Sequence, residues 1–177
     1  MWFRIDMVSA LQRITENLCR EYEWLENIIP PFVYTKQHIL DTADIEDISL
    51  FIKDYLSMLH KRFDDYYPGN KSEMIQRVIR YVLGRPFDKH LLPEIAVLMG
   101  INHTYLSHSF KRDVGISFVD YCNHYKIDSM KMLLLYSDLS IKEIANKLKC
   151  DDKYMGRLFK KIVGVPPSRY RNHYKNL

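Results

Sequence analysis

Set against itself at an offset of 49 residues, the later part of this 177-residue chain repeats. Glu94-Ile95-Ala96 falls on Glu143-Ile144-Ala145, Tyr105 on Tyr154, Phe110-Lys111 on Phe159-Lys160, Val114-Gly115 on Val163-Gly164, and Tyr121 on Tyr170. These are nine identities over residues 92–121, and Leu92/Ile141, Met99/Leu148, Leu106/Met155 and Ile116/Val165 keep apolar character. A repeat of this length means two copies of one supersecondary unit, each burying its apolar face in the same way.

Each copy reads as two short helices around a tight turn. The first helix spans Pro93 to Met99 in one copy and Ile141 to Lys149 in the other. One opens with proline at an early helical position; the other opens with Ser140 and Glu143, spaced as a capping box. After the turn (Gly100-Ile101, then Lys149-Cys150), Asn102 or Asp151 is placed to cap a second helix, 102–114 or 151–163. Leu106, Phe110 and Val114, or Met155, Phe159 and Val163, form its buried side, and Gly115 or Gly164 ends it. This is the helix-turn-helix layout, whose second helix enters a DNA major groove. The outward positions are Thr104, Ser107, His108 and Lys111 in one copy, and Lys153, Gly156, Arg157 and Lys160 in the other. Arginine can read guanine edges with two bonds, and lysine mostly meets phosphate.

Between the copies, Ser117 to Tyr136 reads as one helix, with Asp120 three residues after Ser117. A rod of that length spans ~28 Å at ~1.5 Å per residue, against ~34 Å between successive major grooves on one face. Upstream, helices are expected at about 6–27, 43–66 and 72–83. The first follows Met7, Leu11, Ile14, Leu18, Leu25 and Ile28; the second follows Ile45, Ile48, Ile52, Tyr55 and Leu59. These first two could pair as a hairpin or serve a coiled-coil dimer. Tyr67-Pro68-Gly69-Asn70 breaks the pattern and divides the chain into 1–70 and 71–177.

Charge divides at the same place. Residues 1–70 hold 7 Lys+Arg against 12 Asp+Glu (−5), and 71–177 hold 19 against 10 (+9). The basic part suits an anionic partner such as nucleic acid. No purely apolar run, Met132 to Tyr136 among them, comes near the ~20 residues of a membrane span. No secretion signal is apparent, and three scattered cysteines fit a reducing cytoplasm better than a disulfide framework. No HExxH, CxxC, GxSxG, Walker A or GxGxxG sequence occurs, so neither metal, cofactor nor enzymatic activity is expected.

The basic part resembles the DNA-binding domain of AraC/XylS-type transcription regulators over about residues 72–173. The resemblance is carried by LPEIAVLMGINHTYLSHSFKRDVG, FVDYCNHYKIDSMKMLL, SIKEIANKL and DDKYMGRLFKKIVGVPPSRYR, with Gly164-Val165-Pro166-Pro167 and Tyr170-Arg171 as its ending. It implies an all-α fold: a seven-helix tandem helix-turn-helix domain on a long linker helix, here preceded by a small helical segment. It also implies sequence-specific binding to promoters and activation through contact with RNA polymerase. By matched position its base-reading sites fall on Thr104, Ser107 and His108, and on Asp152, Lys153, Gly156 and Arg157. The chain departs from the family pattern at the second turn, Lys149-Cys150, which is shorter and lacks a Gly-aromatic pair. It departs also at Lys126, where the linker helix usually has arginine, and at Met130, where a small residue is usual.

Residues 1–70 are too few for a sugar-binding β-barrel or a receiver domain, and are more similar to the helical segment behind the receiver in response-regulator members. The expected function is therefore a cytoplasmic bacterial transcription regulator, an activator, binding double-stranded DNA. Residues 1–70 would give homodimerisation or partner contact. The competing reading is an interaction protein that binds or titrates another regulator through 1–70.

Overall fold

The computed structural model describes residues 2–89 and 92–174, three positions short of the end of the expected basic part. The described residues are helical, with no strand among them. The chain divides into two units, Met1–Tyr67 and Pro68–Leu177.

In the first unit, α1 (Trp2–Glu21) runs into a 3-10 turn (Glu23–Asn27), followed by α2 (Phe32–Asp41) and α3 (Ile45–Tyr66). The helix expected over 6–27 therefore ends early, and its buried face is different. Val8, Leu11, Thr15 and Cys19 are buried, while Ile14 is 46% exposed. Leu25 and Ile28 are buried from the separate 3-10 turn and its end, so they cannot continue the stripe of α1. The sequence pattern gives no helix between 27 and 43, where Pro30-Pro31 reads as a helix stop. Pro31 instead precedes the first turn of α2, a place where its missing N–H costs nothing. Thr35 and Ile39, one turn apart, anchor α2 inward. Asp44 caps α3 by accepting from the N–H groups of Glu46 and Asp47, and Ile48, Tyr55, Leu59 and Tyr66 form its buried stripe.

The second unit runs α4 (Glu73–Leu83), α5 (Leu92–Leu98), α6 (His103–Val114), α7 (Phe118–Tyr136), α8 (Ile141–Lys147), α9 (Asp152–Val163) and α10 (Pro167–Tyr174). The expected caps are present. Asn102 accepts from the Tyr105 N–H at 3.1 Å, Asp151 from the Tyr154 N–H at 2.8 Å, and Ser117 from the Asp120 N–H at 3.1 Å. Ser140 and Glu143 close a full capping box.

The linker helix α7 belongs to both copies. Near its start Phe118 and Tyr121 meet Phe110 of α6 edge-on, at 5.4 and 5.6 Å between ring centres. Further along, Ile127, Met130 and Leu134 are fully buried with Ile144, Ala145, Leu148, Met155 and Phe159 of the second copy. Phe159 in turn meets Tyr170 of α10 at 5.4 Å and 76°, the same interplanar angle as its repeat counterpart, Phe110–Tyr121. The rod is thus embedded in both cores, which resists hinging between the copies.

Candidate nucleic-acid interface

The two helix-turn-helix frames are built alike down to their backbone angles. Gly115 and Gly164, ending α6 and α9, both adopt φ 88° and ψ −19°. In the turns, Ile101 N–H donates to the Ala96 carbonyl at 2.9 Å and Cys150 N–H to that of Ala145 at 2.9 Å. Gly100 holds a left-handed φ of 66°, and Lys149 holds 53° in the equivalent place. Lys149 takes this conformation without being glycine, which accounts for a turn that lacks the usual residue and still closes. Its ammonium pairs with Asp88.

Each frame turns the same row of its second helix outward. Thr104, Ser107, His108 and Lys111 are exposed on α6; Asp152, Lys153, Arg157 and Lys160 are exposed on α9, with Gly156 partly so. Spacings of three and four residues place each row on one side of its helix. Apart from Asp152, which accepts from the Lys153 N–H at 2.7 Å, the polar side chains of both rows make no hydrogen bond or ion pair to another described residue. They are therefore available to an external partner. The opposite sides hold Leu106 and Phe110, or Met155 and Phe159, all fully buried.

Tyr105 and Tyr154, one residue after Thr104 and Lys153, stay 58% and 42% exposed. The sequence matches this pair across the copies without assigning it a role; a tyrosine kept in both copies yet outside the apolar stripe is the signal that marks it. The Tyr154 hydroxyl lies 3.4 Å from Asn123 Oδ1 of α7.

Around the rows, polar bonds hold the helices in place. Asp113, at the end of α6, accepts from the Ser72 hydroxyl and N–H at the start of α4. The Ser72 hydrogen bond, aided by Arg112, holds the Asp113 carboxyl below the usual carboxylate range. Arg171 of α10 donates to the carbonyls of Leu134 and Leu139, at 3.1 and 2.5 Å, across the end of α7. Lys126 donates to Cys150 Sγ at 3.6 Å, tying α7 to the second turn. Burial pushes the Cys122 thiol up to about 12, so it stays protonated at neutral pH.

Among the described residues no group of three His, Cys, Asp or Glu side chains could hold a metal ion. No described helix is long and apolar enough to cross a membrane.

Two helix-turn-helix units with solvent-facing second helices, fixed on one shared rod, make up the DNA-binding domain of a transcription regulator. A helix-turn-helix domain family matches residues 95–173. The chain is 32% identical over 137 residues to the uncharacterized HTH-type transcriptional regulator YtdP of Bacillus subtilis, which covers 63% of this chain and 18% of that protein. It is 34% identical over 79 residues to the uncharacterized HTH-type transcriptional regulator YijO of Escherichia coli, covering 44% of this chain and 28% of that one. The chain thus spans under a third of either relative. Among solved structures it is similar to the C-terminal domain of AraT, a response regulator from Geobacillus stearothermophilus (30% identity, 58% of this chain, 86% of that one, TM-score 0.55). It is similar also to the C-terminal domain of the two-component response regulator yesN from Fusobacterium nucleatum (32%, 56% of this chain, 95% of that one, TM-score 0.50). The DNA-binding domain of AdpA, solved in complex with a target DNA, shares the fold at 18% identity, over 59% of this chain and 96% of that one (TM-score 0.55). This chain belongs to the AraC-type helix-turn-helix regulators.

Proposed function

We propose that this chain reads two successive major grooves of double-stranded DNA, one with α6 and one with α9, and activates transcription from the site it occupies. One observation carries the reading. Two frames with matching backbone angles turn equivalent side-chain rows to solvent, unengaged by the rest of the described protein.

The chemistry of the rows then assigns roles. Arg157 is suited to paired bonds with guanine, and Asp152 to accepting from the cytosine amino group. Thr104, Ser107 and His108 offer shorter hydrogen-bonding groups to base edges, while Lys111, Lys153 and Lys160 suit phosphate. α7, at 19 residues, spans about 28 Å, close to one groove repeat of about 34 Å.

The family resemblance supplies RNA polymerase as the protein contacted at the promoter, and the cytoplasm as the place of action. The Met1–Tyr67 unit serves homodimerisation. Val33 of α2 and Leu50 of α3, 64% and 58% exposed, are apolar side chains that a second copy could cover.

Selection of preferred sites from random duplex DNA tests the proposal. The expected product is a site with two conserved blocks one helical turn apart. Arg157→Ala should relax preference at one position, at a cost of about 1–3 kcal/mol. Lys160→Ala should weaken all sequences alike and lower the log–log salt slope by about 0.9. Selection of a single block, or full affinity after loss of one row, refutes two-groove reading. No enrichment by folded protein favours the partner-titrating alternative.

A further inference from the structure

Gly156 sits in the middle of the 12-residue α9, where glycine weakens a helix relative to almost any other residue. Nothing among the described residues explains it. Its φ is not among the positive ones, which belong to Gly100, Gly115, Gly164 and Lys149. A Cβ added at 156 would meet nothing within 4 Å, so no close packing excludes a side chain. The frame does not demand glycine either, because the equivalent position in α6 is Ser107, which is exposed. Yet Gly156 lies in the outward row, three residues after Lys153, one before Arg157 and four before Lys160.

We propose that Gly156 is a specificity-determining notch: the bare α9 backbone there admits the 5-methyl group of a thymine that any side chain would hold away. This rests on the DNA-reading proposal above and deepens it. A gap flanked by cations brings phosphate and base edge close, and what faces the gap is the aliphatic Cα–H surface. A methyl group is the major-groove feature suited to such a surface, since it needs no hydrogen-bonding partner. The Ser107 hydroxyl at the matching place in α6 suits a polar base edge instead, so the two heads should differ most at this position.

The test uses the full chain, the duplex it selects, and the variants Gly156→Ala and Gly156→Ser. Gly156→Ala is expected to raise the Tm by about 4 °C, through helix propensity alone. The same variant should bind the selected duplex at least tenfold more weakly, a larger loss than it shows on random duplex. Replacing the facing thymine by deoxyuridine should weaken the wild type and leave Gly156→Ala unaffected. Wild-type affinity in Gly156→Ala, or indifference of the wild type to deoxyuridine at every thymine of the site, overturns the notch while leaving the regulator reading intact. Failure of the wild type to select any duplex overturns both.

Discussion

Replacing Arg171 with methionine keeps most of the apolar stem and removes the guanidinium that holds α10 to the end of α7. Two donated hydrogen bonds disappear, to the carbonyls of Leu134, which is fully buried, and Leu139, which is half-buried. A hydrogen bond from a charged group is worth about 1.5–3 kcal/mol, and the half-buried position of Arg171 favours the lower end. The positive charge beside the carboxyl end of a helix adds a few tenths more at most. The expected loss is therefore about 3 kcal/mol, or a Tm lower by about 12 °C for a unit of this size. Arg171→Lys keeps the charge but not the fork that reaches two acceptors, and should recover about half. Thermal unfolding of the full chain, followed by circular dichroism, measures the change in the transition of the second unit. Hydrogen exchange should show protection lost first at the end of α7 and in α10, with α5 and α6 spared. A methionine variant melting within 2 °C of wild type, or lysine and methionine variants that melt alike, would refute the reasoning.

Other outcomes follow from single residues. Lys149→Gly relieves a left-handed φ of 53° and should gain about 1 kcal/mol, because the exposed pair with Asp88 returns little; a lower Tm would show that the pair outweighs the backbone. Asp113→Asn tests the bond to Ser72. The Asp113 carboxyl is held below its ordinary value, so its contribution is present above the normal carboxylate range and lost as pH falls through the lowered one. Wild type should be the more stable at pH 6 and the two should converge toward pH 3; parallel pH curves from chemical denaturation contradict this. Ser129 buries a hydroxyl with no hydrogen-bond partner among the described residues, so Ser129→Ala should raise stability by about 1 kcal/mol in urea unfolding, and a loss would mean that the hydroxyl is satisfied.

The second unit was far more legible in the sequence than the first, and the reason is physical. Its caps are local devices: Asn102, Ser117, Ser140 and Asp151 each bond a backbone N–H three residues ahead, so the chain announces them at fixed spacing. Repetition then supplies the register, since a position apolar in both copies, such as Leu106 and Met155, must face a core. The first unit has no second copy to compare. In α1 the choice between the Leu11, Ile14, Leu18 face and the Leu11, Thr15, Cys19 face depends on what packs against it. Thr15 wins a buried place by bonding the Leu11 carbonyl at 2.9 Å and the Tyr55 hydroxyl at 3.1 Å, a partner 40 residues away. The same limit hid what Arg171 bonds to, since its acceptors lie 37 and 32 residues back along the chain. The outward rows were readable as positions because they are what remains when the buried stripe is removed. What each side chain there reads could not follow from position alone.

Because the frames agree in backbone and differ in outward chemistry, the rows can be exchanged without disturbing either core. Thr104, Ser107, His108 and Lys111 would be moved onto positions 153, 156, 157 and 160, and the residues there moved back. All but Gly156 are exposed, and position 156 has room for the incoming serine, so thermal unfolding should change little. If the rows do the reading and the frames only present them, the swapped protein should select the two sequence blocks in reversed order at unchanged spacing. The block contacted by the more basic row should carry the larger share of the salt dependence in both proteins, at whichever end that row now sits. Blocks that keep their original order would place sequence preference elsewhere, in the flanking Tyr105 and Tyr154 or in the deformability of the DNA between the grooves. A changed spacing would contradict the idea that α7 alone sets the separation of the heads.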